Sequence, residues 1–514
     1  MEENKKEEVV EEKSTGSKGK LDKFFGITEK GSSFKVEIFA GIATFLAMAY
    51  ILTVNPNQIL SFNAADPKWS GIFIATALGA FIGTILMALL AKMPLAQASG
   101  MGLNSTVGLV IGGVYGFAFS FGNAMLLVLV SGILFLFVSF IPGGKDKNGK
   151  LISLREKIFD GMPIAVRTAI PVGIGLFIAF IGFQNARVIV DNPYTLLDFV
   201  NLTEKANWAK GGAALDAVVA LFGVVLIAIL ARLKVKGAVV FGILGATLLA
   251  LPLGVANIDV LKGDGGVTWK FWENFSNFFN MDPDKGGVAF AAFTEGFKFP
   301  KDSFMTCVML VITFSMIDMF DTMGTVVGCT TNAGLIDENG KPLNYNKIMY
   351  SDSIATCAGA MLGTSTVTTF VESGAGIAAG GKTGFASLVT AVLFLLSIFI
   401  LPVFAFIPSA ACASALIYVG VLMMSNVVNI DFKDVKNAVP AFLTIVIMPF
   451  AYSITKGIGI GIIAYVVLSS VMYVVDLIAY KMGKVEEKPK WDLSIVLLVI
   501  FALFLVYFLV PTKF

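Results

Sequence analysis

Long runs of apolar residues, separated by short polar segments, dominate this sequence of 514 residues. Most of these runs approach the roughly 20 residues that a helix needs to cross the hydrocarbon core of a bilayer. The pattern therefore predicts an all-α polytopic membrane protein. The candidate spans are residues 36–54, 71–92, 117–141, 161–183, 212–233, 236–255, 304–327, 348–364, 384–406, 409–425, 437–453, 457–478 and 492–510.

Two further stretches, residues 96–113 and 366–383, are shorter and richer in Gly, Ser and Thr. They would make poor continuous spans. Helices interrupted at mid-membrane leave backbone groups free, and these are tolerated where they line a cavity. We therefore predict two broken helices, each of them the third segment of its half of the chain.

An internal repeat accompanies the broken helices, because residues 99–104 resemble residues 373–378 in their small-residue pattern. Seven crossings in the first half place the second half in the opposite orientation, which makes an inverted repeat. Paired interrupted helices in such repeats indicate a transporter binding site. Chance similarity between Gly- and Ala-rich segments remains the alternative.

Composition narrows the class further. The chain is 56% hydrophobic and 14% charged, whereas soluble domains carry about 25% charged residues. Histidine is absent, so carboxylates are the obvious carriers if protons move through the protein. The four cysteines lie in or beside apolar segments without a CxxC pair, which favours small core residues over a disulfide framework or a metal site. No pattern indicates a cofactor or a nucleic-acid partner.

Basic residues set the expected orientation. The 142–160 loop and the 232–236 turn are rich in Lys and Arg, and positively charged loops stay in the cytoplasm. The N-terminus is then cytoplasmic and the 256–303 segment extracellular. The first 30 residues are polar and charged, which predicts a disordered tail without a cleavable signal peptide.

Two carboxylates within apolar, glycine-rich stretches are the main candidates for chemistry. An acid in such a place is costly and usually faces a protein cavity. Asp321 and Thr325 are four residues apart, so they share one helix face. Together they could bind a polar solute or hold a proton. Asp318 lies one turn earlier on a neighbouring face, and the alternative is that one of the two acids only caps or braces a helix. The small and polar residues around Asp321 favour Asp321 as the functional acid.

Glu372 precedes Ser373 and Gly374, which indicate a sharp entry into a short helix. Backbone N–H groups at that helix start would point into the cavity. The Glu372 carboxylate could accept two ring N–H donors from a flat heterocycle, or it could take a proton. The alternative is an acid that caps the helix N-terminus.

Three further residues could help to recognise a planar ring. Asn104 offers both a donor and an acceptor, which suits the edge of a base, although a hydrogen bond between helices is an equal alternative. Phe370 and Phe45 could stack on a ring. Packing in the core is the commoner role for any single Phe.

Residues 376–383 match the phosphate-loop pattern G-x-x-x-x-G-K-[ST] letter for letter. A phosphate loop has to follow a buried strand and open a helix in an α/β sheet. Here the match lies between membrane segments. An ATP-hydrolysing membrane protein is therefore a remote alternative.

Several separate motifs resemble the AzgA-like branch of the nucleobase/ascorbate transporter superfamily, the adenine/guanine/hypoxanthine permeases. The carrying motifs are residues 24–28, 41–56, 100–104, 321–325 and 371–384. The resemblance implies proton-coupled uptake of purine bases across the cell membrane by two inverted seven-segment repeats. A transporter of uracil or xanthine on the same architecture is the alternative.

The resemblance also implies roles for particular residues. Asp321, with Thr325, corresponds to the family's acid in the eighth segment and would couple the proton, with Thr322 beside it. Glu372, followed by Ser373 and Gly374, corresponds to the acid in the tenth segment and would bind the base, together with Asn104. The partners implied are a purine base, a proton and membrane lipid, and a homodimer is left open.

The same resemblance implies a division of the chain into a core domain and a gate domain. The core domain would comprise residues 31–141 and 304–406, and the gate domain residues 158–255 and 407–514. The last range includes the extra apolar run 492–510, whose crossing of the membrane is left open. Residues 1–30 would be the tail and residues 256–303 the extracellular loop region.

Overall fold

The computed structural model describes residues 17–61, 66–114, 116–145, 151–235, 237–256, 268–280, 286–336, 342–483 and 487–509. Residues 1–16 of the expected tail lie outside the described residues. So do residues 146–150 and 236 of the expected cytoplasmic loops, and residues 257–267 and 281–285 of the expected extracellular region.

The first half of the chain contains ten helices and five short strands within the described residues. A π-helical turn, Met87–Ala91, extends α4. The elements are α1 (Ser17–Phe25), α2 (Phe34–Met48), α3 (Ile51–Ile59), α4 (Lys68–Leu86), β1 (Gln97–Ser99), α5 (Met101–Ile111), α6 (Phe121–Phe140), β2 (Pro142–Lys145), β3 (Leu151–Ser153), α7 (Leu154–Asp160), α8 (Ile164–Asn185), β4 (Ile189–Asn192), β5 (Leu196–Phe199), α9 (Ala213–Arg232) and α10 (Ala238–Ala250).

The second half is almost entirely helical. Its described elements are α11 (Phe271–Phe278), α12 (Ala291–Thr294), α13 (Phe304–Asn332), α14 (Tyr345–Leu362), β6 (Val367–Thr369), α15 (Ser373–Ala378), α16 (Gly384–Ser397), α17 (Leu401–Ala405), α18 (Ser409–Met424), α19 (Val435–Phe450), α20 (Ile454–Lys481) and α21 (Ile495–Leu509). Among the described residues of both halves, nine helical segments are long and apolar enough to cross a membrane. The expectation of an all-α polytopic membrane protein is confirmed.

The two broken segments are strand–helix units whose strands pair with each other. Strands β1 and β6 pair antiparallel, with Gln97 opposite Thr369 and Ser99 opposite Val367. The strands thereby satisfy backbone groups that a broken helix leaves free at membrane depth. Helix α5 follows β1 directly, and α15 begins three residues after β6. This pairing of the third segments of the two halves confirms the predicted inverted architecture.

The register that we inferred for the repeat motif is wrong. Ser99 is the last residue of β1, whereas Ser373 is the first residue of α15. The resemblance between residues 99–104 and 373–378 therefore compares a strand end with a helix start. The two halves correspond in their order of elements and not in that motif.

The helices pack in two sets. Helices α2, α4, α6, α14 and α16 contact one another, and α15 packs on α2. Helices α8, α9, α18, α19 and α20 form the second set, in which α8 packs against both α18 and α19. Helix α13 contacts α6 of the first set as well as α8 and α20 of the second. The cavity described below lies where the two sets face each other.

Part of the expected disordered tail is instead an ordered element. Residues 17–25 form α1, and the turn that follows leads into α2. The edge of the Phe25 ring meets Phe385 at 5.6 Å, and Lys92 Nζ donates to the Phe24 carbonyl at 2.9 Å. One aromatic contact with α16 and one hydrogen bond from Lys92, which follows the π-helical turn, thus fix the start of the described chain.

The apolar run 492–510 forms helix α21, with 15 residues. This helix packs along α20 and touches α7. Its first turn is anchored by Ser494, whose hydroxyl donates to the Gly161 carbonyl at 2.9 Å. At about 1.5 Å per residue, α21 is shorter than the hydrocarbon core.

Candidate substrate-binding site

A cavity of about 750 Å³ lies between the paired strands β1 and β6 and the second set of helices. Small-molecule sites typically measure roughly 300–1,000 Å³. The starts of both half-helices reach it, through Met101 on α5 and Gly374 on α15. Two exposed residues also line it: Lys382, between α15 and α16, and Asn426, after α18. The cavity is therefore open at these two residues and closed by the strands at its base.

Glu372 is the acid at the base of the cavity. Although it occupies the N-cap position of α15, its side chain makes no capping hydrogen bond. Instead, Glu372 Oε1 accepts a hydrogen bond of 2.6 Å from the hydroxyl of Tyr50. Glu372 Oε2 has no hydrogen-bond partner among the described residues, and the side chain lines the cavity. This geometry excludes the alternative in which Glu372 is only a capping acid.

Asp321 and Thr325 both line the cavity from α13, as their spacing predicts. The Thr368 hydroxyl on β6 donates to Asp321 Oδ2 at 3.4 Å. Asp318 does not line the cavity. It is buried and accepts a hydrogen bond of 3.3 Å from the Thr356 hydroxyl. The structure thus separates the two acids of α13 as the sequence analysis did.

Gly374 and Phe370 also line the cavity. A Cβ atom built on Gly374 would meet no atom within 4 Å, so this glycine faces open space. Phe370 precedes Glu372 by two residues and is largely buried. Both residues therefore line the same cavity as Glu372, and their contact with a bound ring stays a prediction.

Four of the expected site residues lie behind the cavity wall. Ser373 is buried, and its hydroxyl accepts from the Ala96 N–H at 3.0 Å. The Thr322 hydroxyl donates to Asp352 Oδ1 at 2.6 Å. Phe45 meets the edge of Phe394 at 5.2 Å. These three side chains support the wall, and their geometry gives no direct contact with the cavity.

Asn104 is the fourth of these residues. Its side-chain oxygen accepts a hydrogen bond from the Ser365 hydroxyl, and its amide donates to the Ser99 carbonyl at 3.4 Å. The side chain is fully buried. Asn104 therefore joins α5 to the segment before β6, which is the alternative that the sequence analysis left open.

Sequence reasoning missed Tyr50 and Arg167. Tyr50 holds Glu372 but is separated from it by 322 residues, and a lone Tyr in an apolar run carries no signal of its own. Arg167 lines the cavity from the start of α8. A cation near the end of a span was left without a role in the sequence analysis.

A buried ion pair lies close to this site. Arg155 of α7 contacts Asp352 of α14 at 3.0 Å, and both side chains are fully buried. The sequence analysis counted Arg155 among the basic residues of a cytoplasmic loop. Asp216, also left without a role, pairs with Arg187 at the start of α9.

The segment that resembles a phosphate loop binds an internal carboxylate. The backbone N–H groups of Lys382, Thr383 and Ala386 donate to Glu37 of α2 at 2.9, 3.3 and 3.3 Å. The segment joins two helices, α15 and α16, with no strand directly before it. The ATP-binding alternative is not favoured, because Glu37 accepts from these N–H groups and the described residues around the segment form no α/β sheet.

Paired interrupted segments that meet at a shared cavity are typical of secondary transporters. The comparison with known proteins agrees with this class. A family model described as Permease family (Xan_ur_permease) matches residues 35–460. The chain belongs to this permease family and is a transporter rather than an enzyme.

Two relatives illustrate the family. The chain is 35% identical over 456 residues to the adenine permease AdeP of Escherichia coli (strain K12), covering 88% of this chain and 91% of that protein. It is 34% identical over 449 residues to the guanine/hypoxanthine permease PbuG of Bacillus subtilis (strain 168), covering 86% and 92%. The resemblance to adenine/guanine/hypoxanthine permeases is confirmed.

A solved structure shares the fold at low identity. The transmembrane domain of a cyanobacterium bicarbonate transporter, BicA, superposes with a TM-score of 0.56 at 14% identity. The match covers 82% of this chain and 97% of that domain. This likeness concerns the architecture and carries no information about the substrate.

Proposed function

We propose that the protein takes up purine bases (hypoxanthine, guanine or adenine) together with a proton, by alternating access across the cell membrane. The observation that carries the proposal is Glu372, a carboxylate at the base of the cavity with one oxygen held by Tyr50 and the other without a described partner. Relatives named as adenine and guanine/hypoxanthine permeases support a purine substrate.

Glu372 recognises the base. Purines present ring N–H or exocyclic N–H groups along one edge, and an ionised carboxylate is an acceptor only. Each hydrogen bond to a charged group contributes roughly 1.5–3 kcal/mol. Gly374 leaves room beside the carboxylate, and Phe370 offers an apolar ring nearby. The base therefore lies flat at the start of α15.

Asp321 carries the proton. The chain has no histidine, and Asp321 lines the same cavity as Glu372 from a different helix. A carboxylate in this position is costly when it is charged and unpaired. Its protonation removes that cost and favours movement of the loaded site through the membrane.

The movement that we propose is a displacement of the first set of helices (residues 31–141 and 304–406) against the second (residues 158–255 and 407–514). Basic residues of the α6–α8 connection and of residues 232–236 favour a cytoplasmic N-terminus, which we adopt as part of the proposal. With this orientation the open end of the cavity, at Lys382 and Asn426, faces the cytoplasm. The conformation described is then the one that releases substrate inward.

Uptake by purified protein in liposomes tests the proposal. Labelled hypoxanthine, guanine and adenine should accumulate under an inward proton gradient, and a protonophore should abolish the accumulation. Uracil and xanthine serve as competitors that test the alternative substrates. The absence of uptake for every purine would exclude the proposed substrate class, and uptake that ignores the gradient would exclude proton coupling.

A further inference from the structure

The buried pair of Arg155 and Asp352 is a feature that the proposed transport cycle does not yet use. Arg155 lies on α7, the short helix between α6 and α8, and its side chain is the largest fully buried one in the described chain. Its guanidinium stacks over the Phe135 ring at 4.0 Å. Arg155 Nη2 lies 3.0 Å from Asp352 Oδ2.

The other oxygen of Asp352 connects this pair to the site. Asp352 Oδ1 accepts from the Thr322 hydroxyl at 2.6 Å and from Gln97 Nε2 at 3.3 Å. Thr322 is adjacent to Asp321 on α13. Gln97 Nε2 also lies 3.3 Å from the hydroxyl of Thr369, which lines the cavity. The Asp352 carboxylate thus links Arg155, on the short helix α7, to helix α13 and to the paired strands β1 and β6, which form the site.

Asp352 differs from the other carboxylates near it in its counter-charge. The charge of Asp352 acts electrostatically on the two acids of α13, Asp318 and Asp321. Neither forms a salt bridge with a described residue, whereas Asp352 does. Helices α6 and α12, the π-helical turn 87–91 and strand β6 pack on α14 and carry no ionisable side chain. Helix α4 carries only Lys68, at its first residue, and the lysine of α14 itself, Lys347, is exposed. Arg155 is therefore the cation that faces Asp352.

A guanidinium keeps its charge at any physiological pH. A buried charge without a partner is strongly unfavourable, whereas a paired and hydrogen-bonded one is tolerated. Building on the proposed proton-coupled uptake, we propose that Arg155 is a positioning residue: its fixed charge keeps Asp352 ionised. Asp352 then holds Thr322 and Gln97 in place and takes no part in carrying the proton, which leaves that task to Asp321.

The test compares the variants R155Q, D352N and R155Q/D352N with R155K in proteoliposomes. The readouts are kcat/KM for hypoxanthine uptake, its dependence on external pH and, separately, binding of hypoxanthine in a thermal-shift assay. Loss of Arg155 leaves Asp352 free to take up a proton. R155Q should therefore lower kcat/KM by about tenfold or more and move the midpoint of the pH profile by about one unit.

The double variant removes both charges and keeps an acceptor for Thr322 at position 352. It should return the pH midpoint to the wild-type value and recover kcat/KM to within about threefold, as expected for a coupled pair. R155K, which retains the charge, should keep the wild-type midpoint. As a matched control, R187Q disrupts the Arg187–Asp216 pair at the start of α9 and should leave the pH midpoint unchanged.

A wild-type pH midpoint in R155Q, with only a lower rate, would overturn the proposal, because it would show a purely structural role. If R155Q does not fold, the double variant decides: folded protein with the wild-type midpoint supports the proposal, and an unfolded double variant overturns it. Wild-type uptake and hypoxanthine binding are measured first. A failure of purine transport itself is thereby distinguished from a failure of the role of Arg155.

Discussion

The hydroxyl of Tyr50 donates a hydrogen bond of 2.6 Å to Glu372, which lies 322 residues further along the chain. Tyr50 lies at the break between α2 and α3, and Glu372 at the start of α15. The bond therefore joins an interrupted helix of the first half to the broken segment of the second. It fixes one carboxylate oxygen, and the other has no hydrogen-bond partner among the described residues.

Replacing Tyr50 with Phe should weaken purine binding by about tenfold, since a hydrogen bond to a charged group contributes roughly 1.5–3 kcal/mol and orients the carboxylate. Isothermal titration with hypoxanthine measures the effect. Tyr452→Phe is the matched control, because Tyr452 packs against Phe177 outside the cavity. Wild-type affinity in Tyr50→Phe would show that the Tyr50 bond does not position Glu372 for binding.

Glu372→Gln and Asp321→Asn should separate binding from coupling. Glu372→Gln replaces an acceptor oxygen with an N–H donor, so hypoxanthine should no longer raise the Tm of the purified protein. Asp321→Asn cannot exchange a proton, so it should still bind hypoxanthine and exchange it across the membrane without accumulation. If binding were lost in Asp321→Asn and retained in Glu372→Gln, Asp321 would be the residue that binds the base and Glu372 the one that carries the proton.

Proton coupling also fixes the direction of the pH dependence. At constant internal pH, accumulation by the wild-type protein should fall as the external pH rises, because the inward proton gradient becomes smaller. Asp321→Asn should show no such dependence in its exchange rate. An exchange rate that still follows external pH in this variant would assign the proton to another group.

Substitution by Ala should affect the stability of the protein at only one of two glycines in the segment 373–378. A Cβ atom on Gly374 meets nothing within 4 Å, whereas a Cβ atom on Gly376 would collide with the Thr44 hydroxyl and the Ala40 carbonyl. Gly374→Ala should therefore keep the wild-type Tm and change purine affinity. Gly376→Ala should lower the Tm, since overpacking costs about 1–3 kcal/mol. Equal Tm values for the two variants would contradict this geometry.

The spans and the broken segments were predictable from sequence because their signals are local. Apolar runs mark the spans, and the Gly, Ser and Thr content of residues 96–113 and 366–383 marks the interruptions. The shared face of Asp321 and Thr325 follows from the helical period alone. The same period does not say which face meets the cavity, so Thr322 was assigned to the site although it points to Asp352.

Contacts between distant parts of the chain were not predictable in this way. The bonds of Tyr50 to Glu372 and of Ser365 to Asn104 join the two halves of the chain. A count of basic residues places Arg155 in a loop, because such a count ignores tertiary pairing. Its burial depends on Asp352, nearly 200 residues away. These features require the folded structure, in which the two halves meet.

Glu37 should stabilise the fold without taking part in binding. Its carboxylate accepts three backbone N–H groups at the start of α16 while it is fully buried. Hydrogen bonds to a charged acceptor are roughly twice as strong as neutral ones. Glu37→Gln replaces one acceptor oxygen with a donor, and we expect a loss of about 2 kcal/mol or more in stability. A lower Tm should therefore accompany an unchanged Kd for hypoxanthine in the folded fraction. Glu29→Gln, on the exposed turn before α2, is the control and should leave both quantities unchanged.

ATP should not raise the Tm of the wild-type protein, because Glu37 already occupies the N–H groups that a phosphate would need. A wild-type Tm in Glu37→Gln, or stabilisation by ATP, would contradict this assignment.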